Sequence, residues 1–295
     1  MEEYLETTQR LESGVVLLRS QKEKAMDFRS MHRSGDILVL ANAWDIPSAR
    51  IFEQAGFPAI GTSSAAIAIS LGYPDGQKIT RDEMLQVVER IVKSVSIPVT
   101  ADMEAGYGES ATAVADTAKR VIAAGAIGLN IEDSTKRPDH PLFDVEAQVR
   151  KIAEIRKIRD RSDVPLVINA RTDVLILGQG DKSSRLEEAI DRGNAYNDAG
   201  ADCFFPVGAI DSQTISEITR HVRCPINILA TNGVPSVPEL KSLGVQRVSV
   251  GSGPARATFG LVRKIAHELR ESGTYVNLLN GAPTLAEANN LVRPS

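Results

Sequence analysis

From Ile37 onwards the chain repeats one alternation of apolar and polar positions. A short apolar run ends in polar residues, an amphipathic stretch follows, and a glycine closes that stretch before the next run. The runs are ILVLA from Ile37, AIGTS from Ala59, PVTAD from Pro98, IGLNIED from Ile127, PLVINART from Pro165, ADCFFPV from Ala201, PINILA from Pro225 and RVSVG from Arg247. Near-continuous apolar character marks strands buried on both faces, as in parallel sheets. Between them, RDEMLQVVERIVKSV and VEAQVRKIAEIRKIRD place apolar residues at i, i+3, i+4 and i+7, the spacing of one helix face. Gly56, Gly125, Gly200 and Gly244 stand where such helices end.

Eight strand–helix units within about 250 residues predict an α/β protein, a (β/α)8 TIM barrel. A doubly wound sheet is the alternative, but the first turn, Ala41-Asn42-Ala43-Trp44-Asp45, lacks the glycines such a fold places there. The expected organisation is an N-terminal helical arm over 1–35, the barrel over 36–272 and a C-terminal helical tail over 273–295.

Composition narrows the function. The 295 residues hold 34 Lys plus Arg against 38 Asp plus Glu, a net charge of −4. That mild acidity argues against nucleic acid as the main partner. No run approaches the ~20 apolar residues of a membrane helix. The acidic start, with only the short apolar run Val15 to Leu18, does not read as a secretory leader. It reads either as an arm packed on a neighbouring subunit or as a frayed leader. Cys203 and Cys224 have neither zinc nor redox spacing and are expected in the core. A cytoplasmic protein with no membrane or nucleic-acid partner is the expectation.

In a (β/α)8 barrel the chemistry sits at the C-terminal ends of the strands. There the sequence places Asp102 and Glu104, then Glu132, then Arg171. Clustered carboxylates repel unless a cation or protons compensate. Oxygen ligands without His or Cys favour Mg²⁺, with Mn²⁺ possible, over zinc. An adjacent arginine suits a substrate carboxylate or phosphate. A competing sugar-phosphate reading rests on the loops from Thr231 and Gly251, but leaves the acidic cluster unexplained.

The motifs ADMEAGYG, NIEDS, NARTD and TSSAAIAISLGYPDG resemble those of the isocitrate lyase / phosphoenolpyruvate mutase superfamily, in the same order and over roughly Asp36 to Leu269. The resemblance implies a Mg²⁺-dependent barrel acting on small 2-oxo or 2-hydroxy carboxylic acids, assembled as a homotetramer. Asp102 would bind the metal directly, Glu104 and Glu132 through water, and Asp75 would order the water shell. Glu104 stands where the superfamily usually has Asp. Thr62, Ser63, Ser64 and Arg171 would bind the substrate. Superfamily lyases carry a K-[KR]-C-G-H loop after strand four, but here the segment from Ser134 to Phe143 has no cysteine. That segment is expected to be a polar gating loop, with Lys136, Arg137 and His140 as its only groups able to assist. Arg171, Glu132 and His140 are the candidate catalytic residues, and carbon–carbon cleavage through a pyruvate-type enolate is the expected reaction. Carbon–phosphorus chemistry of the phosphonomutase or phosphonopyruvate hydrolase kind, or a non-catalytic metal-binding barrel, are the alternatives.

Overall fold

The computed structural model describes residues 19–293 of the chain. The run Val15 to Leu18 lies outside the described residues. Eight strands form one parallel sheet: β1 (Leu38–Ala43), β2 (Ile60–Thr62), β3 (Val99–Asp102), β4 (Gly128–Glu132), β7 (Val167–Thr172), β8 (Cys203–Pro206), β9 (Asn227–Leu229) and β10 (Arg247–Ser249). Their spatial order is β8-β7-β4-β3-β2-β1-β10-β9. The seam between β8 and β9 is joined by a parallel bridge from Phe204 to Ile226, with the Phe204 N–H donating to the Pro225 carbonyl at 2.8 Å. Every one of the eight apolar runs is therefore a barrel strand, and the fold is the (β/α)8 barrel.

The surrounding helices include α1 (Gln21–Met31), α2 (Ile46–Gln54), α3 (Ser64–Ser70), α4 (Arg81–Ser94), α5 (Ala111–Ala123) and α6 (Val145–Arg161). The second half of the barrel adds α7 (Val174–Leu177), α8 (Lys182–Ala199), α9 (Ser212–His221), α10 (Val237–Ser242) and α11 (Gly253–Glu271). Helices α12 (Val276–Leu279) and α13 (Leu285–Leu291) complete the C-terminal tail. Local chemistry sets their ends. Thr80 and Glu83 close a capping box on α4, satisfying two otherwise orphaned amides. Gly200 ends α8 at φ 114°, a conformation closed to most side chains.

The segment after β4 departs from the expected loop. It folds into an antiparallel hairpin, β5 (Ser134–Arg137) and β6 (His140–Leu142), turning at Pro138-Asp139. Leu142 anchors it by burial, and the Thr135 hydroxyl donates to the His140 carbonyl across the pair.

The alternation of strand residues sorts the barrel interior into layers. Asn42, Asp102, Glu132, Arg171, Phe205, Leu229 and Ser249 line the upper mouth. Two residues earlier on the same face come Leu40, Thr100, Asn130, Asn169, Cys203, Asn227 and Arg247. Barrels usually fill such layers with branched aliphatics; this one uses mostly polar groups. A Cβ on Gly128 would meet Thr100 Oγ1 at 2.8 Å and the Val167 carbonyl at 2.9 Å, so the interior is tightly filled.

Below, α1 plugs the bottom. Ala25 and Phe28 pack with Leu38, Leu40, Ala59, Ile127, Val164 and Val167. Phe28 is fully buried and meets His32 edge-on at 4.8 Å. The two cysteines are free and buried, and burial pushes the Cys203 thiol up to about 12. Among the described residues no helix is long and apolar enough to cross a membrane.

Truncating Phe28 to Ala removes a whole ring from the plug. It is expected to cost about 3–5 kcal/mol, read as a lower urea midpoint with an unchanged slope.

Candidate active site

At the strand ends a pocket of 150 Å³ is lined by Ser63, Ser64, Asp75, Asp102, Glu104 and Glu132 together with Asn42, Asn130, Lys136 and Arg171. Phe205 and Leu229 supply its apolar wall, and Gly251 and Ser252 close the far side. The volume suits an acid of a few carbon atoms.

Asp102 ends β3. Its Oδ2 accepts from the Ser64 amide at 3.0 Å and the Ser64 hydroxyl at 2.7 Å, while its own amide donates to Thr62 Oγ1 at 2.9 Å. Asp102 Oδ1 is buried with no hydrogen-bond partner among the described residues. One oxygen is thus fixed by protein and the other left free toward the pocket.

Glu104 is 2 % exposed and holds its backbone at φ 50°. Its Oε2 accepts from the Gln77 amide at 2.7 Å. Burial, then the neighbouring Glu132, Asp102 and Asp75 charges, push its carboxyl up to about 8. Tyr107 donates weakly to Glu104 Oε1 at 3.5 Å, and its amide donates to Gln77 Oε1 at 2.7 Å. Burial first, and then the Glu104 charge, hold the Tyr107 phenol far above its usual range.

Glu132 ends β4 fully buried and is gripped from two sides. Arg171 Nη1 lies 2.9 Å from Oε2, and Lys136 Nζ lies 2.5 Å from Oε1. Burial raises the Glu132 carboxyl against the opposing pull of Arg171 and Lys136. Burial works against the Lys136 charge, but Glu132 outweighs it and holds the ammonium above its usual range. Arg171 also makes a two-pronged contact to Asp173, Nε at 2.7 Å and Nη2 at 2.9 Å.

Among the described residues, four that are not glycine have left-handed backbones: Gln77, Glu104, Tyr107 and Lys136. Glu104 and Lys136 line this pocket, and Gln77 and Tyr107 hydrogen-bond to Glu104 behind it; such strain of order 1–3 kcal/mol each collects at functional sites.

The structure brings Ser63, Ser64, Asp75, Asp102, Glu104, Glu132 and Arg171 to one pocket. Thr62 sits behind it, its hydroxyl holding the Asp102 amide and its carbonyl accepting from Asn42 Nδ2 at 2.8 Å. His140 is exposed at the hairpin tip, outside the lining residues, whereas Lys136 reaches in. Gln77, Asn42 and Asn130 were not singled out from sequence. Asn130 carried a signal, two residues before Glu132 on the same strand face; Gln77 carried only its nearness to Asp75.

Among the described residues, no three His, Cys, Asp or Glu side chains gather closely enough to ligate one metal ion directly. The free Asp102 Oδ1, backed by two longer carboxylates, instead fits a hard cation touched by one protein oxygen and otherwise hydrated.

Comparison with known proteins agrees with this geometry. Residues 28–270 match the phosphoenolpyruvate phosphomutase family. A 2-methylisocitrate lyase of Salmonella typhimurium is 32% identical over 86% of this chain and 87% of its own length. An oxaloacetate decarboxylase of Pseudomonas putida is 33% identical over 79% of this chain and 80% of its own. The crystal structure of a phosphonopyruvate hydrolase complexed with oxalate and Mg²⁺ superposes with a TM-score of 0.80 at 28% identity, covering 91% of this chain and 94% of that one. A strand-end pocket of four acids and two cations, on a barrel matched along most of its length, places the chain in the phosphoenolpyruvate phosphomutase family.

Proposed function

We propose that the protein is a Mg²⁺-dependent carbon–carbon lyase that cleaves a short 2-oxo or 2-hydroxy diacid through a pyruvate-type enolate. The observation that carries this reading is the pocket's charge pattern: a free Asp102 oxygen and two buried glutamates facing Arg171 and Lys136. Asp102 would hold the cation, with Glu104, Glu132 and Asp75 ordering its water. When bound, Mg²⁺ supplies a Lewis acid for the developing enolate oxygen.

The chain's own residues do the rest. Ser63, Ser64 and Asn42 present polar groups for the substrate carboxylate. Glu132 now occupies both cations, so a metal ion near it would share that pairing and leave Lys136 and Arg171 able to face substrate oxygens. Preorganised cations and donors of this kind stabilise charge as it develops. With no cysteine in the hairpin, Lys136 is the hairpin group placed to move a proton. Phe205 and Leu229 exclude water from one side. Decarboxylation, as the decarboxylase relative's name describes for that protein, needs no strong base and fits this donor set best.

The C-terminal helices suggest assembly. Helix α11 buries only Ala255, while Val262, Val276, Leu279 and Leu285 are 61%, 71%, 71% and 78% exposed. Such a face, in a protein of this size, suits burial against another copy of the chain, and a homotetramer in the cytoplasm is the reading we favour.

Three outcomes follow. With Mg²⁺ and a panel of oxaloacetate, 2,3-dimethylmalate, methylisocitrate and phosphonopyruvate, a coupled lactate dehydrogenase assay should record pyruvate from a diacid. Asp102→Ala should lower that rate roughly a thousandfold or more; Mg²⁺-independent release, or release from phosphonopyruvate alone, would overturn the lyase reading. Lys136→Ala should cost about a hundredfold in kcat while His140→Ala stays within about twofold, and the reverse order would return the proton-moving role to the hairpin tip. Light scattering should give the mass of four chains, and a monomer would refute the assembly.

A further inference from the structure

One ionised side chain inside the barrel has no part in the pocket just described. Arg247 is 1 % exposed, and among the described residues its guanidinium has no carboxylate partner, with Nε and Nη1 unbonded. Its strand position is informative. Arg247 pairs with Leu38 on one side and Asn227 on the other, and Ser249, two residues on, lines the pocket. Alternation therefore puts Arg247 inside the barrel, one layer beneath the pocket floor.

The layer around it offers no neutralising anion. Thr100, Asn169, Cys203 and Asn227 are its companions, and Thr100 Oγ1, Asn169 Oδ1 and Asn227 Nδ2 are themselves unbonded among the described residues. The Phe28 ring lies below, 5.8 Å from the guanidinium carbon. Burial pulls Arg247 down to about 10, which leaves it protonated at neutral pH; the neighbouring Cys203 first, and then the Asp102 carboxylate, act against this fall. An uncompensated buried charge is costly, and a purely structural position would hold an aliphatic residue as easily.

We propose that Arg247 is an electrostatic positioning residue, a fixed cation under the pocket floor that favours anionic substrate and enolate over bare metal. The proposal rests on the metal and oxo-acid reading above. It assigns Arg247 no contact with substrate. The pocket collects four carboxylates to attract a divalent cation, and without an opposing charge that concentration would repel a doubly charged acid. Arg171 and Lys136 oppose it from the rim, and Arg247 opposes it from below, where no solvent screens it.

A charge acts on anions and cations with opposite signs, whereas a damaged fold weakens both. The test is isothermal titration at pH 9 of Mg²⁺ alone, and of oxalate at saturating Mg²⁺, as a stable mimic of pyruvate enolate. Two variants cancel the charge differently: Arg247→Met removes it, and Asn227→Asp sets a carboxylate beside it with little change in shape. Each should bind oxalate more weakly, and Mg²⁺ more tightly, on the order of tenfold, as expected for one unscreened charge in a protein interior. If Arg247→Met fails to fold, Asn227→Asp decides. Loss of both affinities together, or no change in a folded variant, would overturn the role of Arg247 while leaving the active-site reading intact. A wild type that binds neither probe would overturn both.

Discussion

The pocket depends on the pairing of buried Glu132 with two cations where water cannot reach it. A lone buried carboxylate would take up a proton, because desolvation penalises its charged form. Arg171 at 2.9 Å and Lys136 at 2.5 Å oppose that. The pairing links three elements: Glu132 ends β4, Arg171 lies 39 residues on in the neighbouring β7, and Lys136 hangs from the hairpin just after β4. Losing one partner of such a pair typically costs several kcal/mol, since it strands the other charge. The same contacts that hold the rim together thus aim its two cations at the pocket.

The residue after Glu132 secures the arrangement from behind. Asp133 is fully buried and accepts from Thr172 Oγ1 at 2.6 Å, Tyr196 OH at 2.8 Å, the Asp173 amide at 3.0 Å and Arg192 Nη1 at 3.1 Å. Arg192 Nη1 donates as well to the Phe143 carbonyl at 3.0 Å, where the hairpin ends. One carboxylate therefore joins β4, β7, α8 and the hairpin exit. Since Asp173 also pairs with Arg171, displacement of Asp133 is felt at both Glu132 and Arg171. Both oxygens of this hub are hydrogen-bonded, whereas Asp102 keeps one oxygen free, and that contrast separates a carboxylate that builds the rim from one offered to a ligand.

Most of the architecture was legible because the apolar runs are short, continuous and regularly spaced, which only buried parallel strands satisfy well. The acids and Arg171 were legible because strand ends in this fold point at one place. Two things hid the rest. The segment from Ser134 to Phe143 has no alternating apolar pattern; it is a hairpin held by Leu142 and by cross-strand polar contacts, which periodicity does not reveal. Its shape, with Lys136 at φ 61°, sends the lysine back onto Glu132 four residues earlier and leaves His140 outside. Gln77 was hidden for a similar reason: its backbone amide, not its side chain, binds Glu104.

The barrel interior was misleading in a more general way. A strand such as RVSVG reads as an apolar core strand with an arginine at its entrance, where a long side chain would ordinarily escape to solvent. Here α1 covers that entrance: Phe28 closes the bottom, and the guanidinium turns inward above it. The plug is thus more than added hydrophobic area. By sealing the N-terminal end it removes the solvent that would screen Arg247, and an unscreened charge is felt farther than a hydrated one. A helix outside the barrel proper thereby shapes the electrostatics of a pocket at the opposite end, with no moving part between them.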